Sequence, residues 1–90
     1  MTVIHEFEVT ATCPVDPSIT DIYATTLRTD TMIAVEELLA LARTYEHEAI
    51  YQEALTADMR ENIGHGELTT VGIHSGVKVT VVVGEYPCSI

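Results

Sequence analysis

Along residues 2–12 the chain alternates, with Val3, His5, Phe7, Val9 and Ala11 on one face and Ile4, Glu6, Glu8 and Thr10 on the other. A period of two predicts a β-strand whose inner face is mostly apolar. The strand stops at Cys13-Pro14-Val15-Asp16-Pro17-Ser18, where two prolines remove backbone donors and force a loop. Residues 20–29 are rich in β-branched and aromatic types and predict a second strand. The period then changes. Asp30 or Thr31 is a good N-cap, Glu36 and Glu37 follow in the first turns, and Val35, Leu38, Ala42 and Tyr45 recur at helical spacing. Helical spacing resumes from about His47 to Ile63, along Ile50, Ala54, Leu55 and Met59, and Gly64 supplies a left-handed stop. One unbroken helix from Asp30 would be about 50 Å long at about 1.5 Å per residue, too long for a domain of this size, so a break falls near Thr44–Glu48. Period two returns over Glu67–His74 and Val77–Gly84, which flank Ser75-Gly76, a two-residue hairpin turn. The order ββααββ predicts an α+β domain, with two helices packed on one face of an antiparallel sheet.

Composition narrows the picture. Ninety residues make a single domain, and a chain this short hides only about 60% of its unfolded surface. Hydrophobic residues form 47% of it, which predicts a folded chain whose strands carry more apolar surface than a lone small sheet buries. Self-assembly into a homo-oligomer follows as the expectation. Fourteen acidic side chains face only four basic ones, for a net charge of -10. With no Lys/Arg cluster, phosphate-backbone recognition is excluded, and so is docking on an anionic membrane. The stretch MTVIHEFEVT lacks the basic region and apolar run of an export signal, and no eighteen-residue apolar window exists. A single pair of cysteines is a poor disulfide framework, so the expected setting is a reducing cytoplasm.

The candidate chemistry centres on Cys13, at a strand end before the proline loop, with Asp16 and Asp21 close in sequence. Read from the residues alone, it is a nucleophile, a soft metal ligand or a small buried hydrophobe. Cys88 reads as incidental. Among the histidines, His5 sits with the inner strand face as a core-edge imidazole, His65 in Gly-His-Gly reads as a solvated loop residue, and His74 ends a strand beside the hairpin turn. No His-x-His or Cys-x-x-Cys spacing supplies a local metal motif. Most helical carboxylates form a solvated face; Glu53 and Glu61 are the candidates to turn inward toward a substrate. The glycines match no phosphate-cradling pattern, and no Ser-His-Asp arrangement is present.

The segment Thr12-Cys13-Pro14-Val15-Asp16-Pro17-Ser18-Ile19-Thr20-Asp21 resembles the Cys-Pro loop of tunnelling-fold enzymes, namely type IB GTP cyclohydrolase and the nitrile reductase of deazaguanine synthesis. The cyclohydrolase pattern has Ile-Ser-Asp where this chain has Ile19-Thr20-Asp21, and the reductase shares Cys-Pro-Val with its Asp one residue closer. Val35-Glu36-Glu37-Leu38-Leu39 and Ile50-Tyr51-Gln52-Glu53-Ala54-Leu55 are similar to helical segments of the cyclohydrolase, and Ile73-His74 falls where that family has Ile-His before its last strand. The chain departs at Ala24-Thr25-Thr26-Leu27-Arg28, where the cyclohydrolase carries His-Asn-Gln-Arg, and it has no Glu-Ser-Lys-Ser-Lys element.

The resemblance implies copies joined at their sheet edges and a planar purine or pterin held between subunits. It implies Cys13 as the covalent or metal-binding cysteine, Asp21 as acid/base, Glu53 or Glu61 as substrate anchor, and His74 as a second ligand of a divalent metal such as zinc. Two functions from different classes follow. One is a homo-oligomer that binds or transforms such a heterocycle. The other is a non-enzymatic assembly or interaction module, of viral type, whose acidic surface imitates nucleic acid toward a basic partner.

Overall fold

The computed structural model describes residues 1–86, so Cys88 lies outside the described residues. Four strands, β1 (Val3–Thr12), β2 (Thr20–Thr29), β3 (Glu67–His74) and β4 (Val77–Gly84), form one antiparallel sheet in the order β1-β2-β3-β4. The helices α1 (Val35–Arg43) and α2 (Gln52–Ile63) separate β2 from β3, giving the expected ββααββ order. Each strand pair is contiguous in sequence, or joined across the helices, so no crossover is needed. Ser75 and Gly76 adopt φ of 51° and 85°, the left-handed pair that a two-residue turn requires to match strand twist.

The period-two patterns map directly onto the two faces. Val9, Ala11, Tyr23, Leu27 and Leu68 point at the helices and are buried with Leu38, Ala42, Tyr45, Leu55 and Met59. The opposite face is free of helices and leaves Ile4, Ile22, Ile73 and Val82 exposed. Both outer strands, β1 and β4, are open edges of this sheet. Among the described residues no helix is long and apolar enough to cross a membrane.

Both helices begin later than spacing predicts, and long-range hydrogen bonds explain each delay. The α1 N-cap is Ala34, with no side-chain cap, rather than Asp30 or Thr31. His5 is the cause: its Nε2 accepts the Ile33 N–H at 3.0 Å, so its Nδ1 donates to the Leu27 carbonyl at 3.2 Å. Residues 30–34 are thereby tied to the sheet before the chain can coil, and His5 is the satisfied core-edge imidazole expected of it. Before α2, Thr12 donates to the Glu48 carbonyl at 3.0 Å and accepts the Ile50 N–H at 3.4 Å. That bridge to the end of β1 keeps residues 48–50 extended and moves the start of α2 from about His47 to Gln52. Gly64 closes α2 in the left-handed conformation, φ 91°.

Candidate functional site

The same bridge brings the start of α2 against the loop that follows β1. Cys13 donates its N–H to Ile19 at 3.0 Å, closing the proline loop over Asp16 and Ser18. Asp16 organises that loop: its Oδ1 accepts from the Ser18 hydroxyl at 2.7 Å and the Ser18 amide at 3.0 Å. Those two bonds, the hydroxyl foremost, hold the Asp16 carboxyl below the ordinary aspartate range.

Between this loop, the start of β2, the start of α2 and the β3–β4 turn lies a cleft of about 550 Å³. Cys13, Asp21, Tyr23, Gln52, Glu53 and His74 line it, with Val15, Ile19, Tyr51, Ile73 and Val79 supplying apolar walls. Four sequence-derived candidates, Cys13, Asp21, Glu53 and His74, therefore share one cleft although they come from a loop, a strand, a helix and a second strand. Glu61 does not join them. It is exposed on α2, eight residues beyond Glu53 and so about 12 Å along the helix axis. Cys13 is half-buried, not sealed in the core, and forms no disulfide with a described residue. His65 is exposed.

The polar side chains are tied together. Tyr23 donates its hydroxyl to Asp21 Oδ2 at 3.3 Å, and its ring lies 5.9 Å from that of His74. His74 Nδ1 faces Asp21 Oδ1 at 3.9 Å, while its Nε2 meets Gln52 Oε1 at 2.8 Å. Burial, and then the negative charge of Asp21, push the Tyr23 phenol well above its usual range, with smaller contributions from Cys13 and Glu53. Tyr23 is therefore a permanent O–H donor.

Tyr23 and Gln52 also line the cleft and Gly72 packs beneath it, positions that sequence reasoning missed. Period two places Tyr23 on the same strand face as Asp21, a signal that was available. Gln52 carried no such signal, because its partners Thr70 and Val79 lie 18 and 27 residues away. Gly72 is where the Tyr23 ring crosses β3: a Cβ there would sit 2.6 Å from Tyr23 Cδ1 and Cε1 and 3.3 Å from His74 Nε2. Gly72→Ala is accordingly expected to displace the ring from Asp21 and to cost about 1–3 kcal/mol of stability. Urea unfolding checks it, and a midpoint equal to that of the unsubstituted protein would refute it.

A metal at Cys13 and His74 needs a third and usually a fourth converging ligand. Among the described residues no three His, Cys, Asp or Glu side chains are grouped to hold an ion. His74 Nε2 is moreover already bonded to Gln52. Among the described residues the donor set does not complete a site for a divalent ion such as zinc.

No family model and no curated protein matches the chain. Among solved structures, the crystal structure of the archaeosine synthase QueF-Like in the apo form is similar over 96% of this chain and 96% of that one, with a TM-score of 0.83 at 22% sequence identity. That likeness extends over every strand and helix described above, and it identifies the architecture of this chain as the tunnelling fold.

Proposed function

We propose that this chain is a homo-oligomeric tunnelling-fold protein whose cleft binds and transforms a planar purine- or pterin-like heterocycle. One observation carries the reading: Cys13, Asp21, Glu53 and His74 converge on a single half-apolar cleft. Apolar walls suit a flat ring, and the Glu53 carboxylate is an acceptor for the ring's N–H edge. In the proposed step Cys13 gives its proton to Asp21, and the sulfur adds to an electrophilic C=N or nitrile carbon. The π electron pair moves to the adjacent nitrogen, which takes the proton back from Asp21. The cleft carries the carboxyls of Asp16, Asp21 and Glu53 and no Lys or Arg among its lining residues, so the fitting ligand is an uncharged heterocycle and not a triphosphate. Assembly is supported by the open edges of β1 and β4 and by the exposed Ile4, Ile22, Ile73 and Val82. A reduced Cys13 fits a cytoplasmic setting.

Native mass spectrometry tests assembly and chemistry together, with guanine, pterin, GTP and a nitrile-bearing deazaguanine as probes. Expected are two or more copies per particle, retention of an uncharged heterocycle in preference to GTP, and a covalent adduct of the nitrile probe. Cys13→Ala should abolish the adduct and leave the oligomer intact. A bare 9.9 kDa monomer that retains nothing, or an adduct that survives Cys13→Ala, would refute the reading. Assembly with no retained probe would favour the interaction module instead.

A further inference from the structure

The side-chain amide of Gln52 has only one orientation that its surroundings accept. Gln52 is buried, and its Nε2 lies 3.1 Å from the Thr70 carbonyl, 3.1 Å from Thr70 Oγ1 and 3.1 Å from the Val79 carbonyl. Carbonyl oxygens only accept, so the NH2 end must face them, and turning the amide over would set oxygen against oxygen at two places. Gln52 Oε1 is then left facing His74 Nε2 at 2.8 Å. An amide oxygen also only accepts, so Nε2 must carry the proton. The neutral ring therefore keeps its lone pair on Nδ1, the nitrogen turned to Asp21 Oδ1 at 3.9 Å.

Without Gln52 the preference would reverse. The Asp21 carboxylate is an acceptor, and the neutral ring satisfies it best with the proton on Nδ1. The cleft that holds the ring is lined by Asp21 and Tyr23 from β2, Gln52 and Glu53 from α2, and Cys13 from the loop, and the Gln52 side chain is held in place by two backbone carbonyls.

We infer that Gln52 is a positioning residue: anchored by the carbonyls of β3 and β4, it fixes His74 as the Nε2–H tautomer and reserves Nδ1 for proton exchange with Asp21 and the cleft. This deepens the proposed function and rests on it for its consequence, since Nδ1 faces Asp21, the group that takes and returns the Cys13 proton. Tautomer choice through the other ring nitrogen's partner is a general device of histidine chemistry.

The test is the long-range ¹H–¹⁵N correlation spectrum of the full chain labelled on histidine, recorded where the imidazole is neutral, with the nitrile probe's adduct rate measured beside it. The unsubstituted protein should show Nε2 protonated and Nδ1 bare at His74. In Gln52→Leu the ratio should move at least about tenfold toward Nδ1–H, and the adduct rate should fall about 10–100-fold. An Nδ1–H ring in the unsubstituted protein overturns the inference at once, whether or not Gln52→Leu folds. So does a folded Gln52→Leu with an unchanged tautomer and rate. Should the tautomer be as stated while Cys13 captures no probe, the orienting role stands and the proposed function fails.

Discussion

Raising the pH above about 10 is expected to unfold the domain, with stability falling by about 2.7 kcal/mol per pH unit while two tyrosines titrate in the unfolded chain only. Tyr23 and Tyr45 are 0% and 2% exposed. Burial is the main cause that lifts both phenols far above their ordinary range. The charge and hydrogen bond of Asp21 add to it for Tyr23, and the bond to Asp58, at 2.6 Å, adds to it for Tyr45. The sign follows from where the protons stay. The native chain keeps both phenolic protons, whereas the unfolded chain releases them near pH 10. Their stabilising contribution is thus complete below pH 10 and is lost as pH rises toward the native values. Each buried tyrosine accounts for about 1.4 kcal/mol per pH unit. Tyr23→Phe and Tyr45→Phe should each halve the slope, and the double variant should abolish it. Circular dichroism from pH 9 to 12 measures the effect. A double variant with the same alkaline slope as the unsubstituted protein would show that the tyrosines are not its source.

Leu27→Ala is expected to cost about 2–5 kcal/mol, a large share of the roughly 5–15 kcal/mol that holds a domain together. Leu27 is fully buried, and in the sheet it stands between His5 of β1 and Leu68 of β3. Truncating it opens a cavity beneath both helices, and the rigid strand pairing on either side prevents the site from collapsing to fill it. In urea the midpoint should drop with little change of slope. Protein concentration must be held fixed, because assembly couples stability to mass action. A midpoint shift worth less than about 1 kcal/mol would mean that the core repacks around the loss.

The candidate site was partly legible because some of its signals are local. Cys13-Pro14 announces a strand end and a loop, and Ile73-His74 announces the tip of a hairpin, both within a few residues. Asp21 followed from the resemblance of the loop to that of tunnelling-fold enzymes, and Glu53 from its helical segment. Glu61 was an equal choice in sequence, because nothing local says that only the start of α2 borders the cleft. That start depends on the Thr12 bridge to residues 48–50, a contact between positions some 36 apart (48 minus 12). The starting point of α1 failed to show for the same kind of reason, since Ile33 gives its N–H to His5, 28 residues earlier. Good capping residues at 30 and 31 were outcompeted by a long-range imidazole.

Period two and period 3.6 are properties of neighbours, so the sequence by itself determined the four strands, the hairpin turn, the two inner faces and the helix stop at Gly64. It also determined the charge of -10. Only the tertiary structure decided which carboxylate enters the cleft, which ring nitrogen of His74 is free, and why position 72 is glycine. Each of those depends on groups that meet across strands and helices, where hydrogen-bond geometry and steric clearance, not spacing along the chain, choose between equivalent-looking residues.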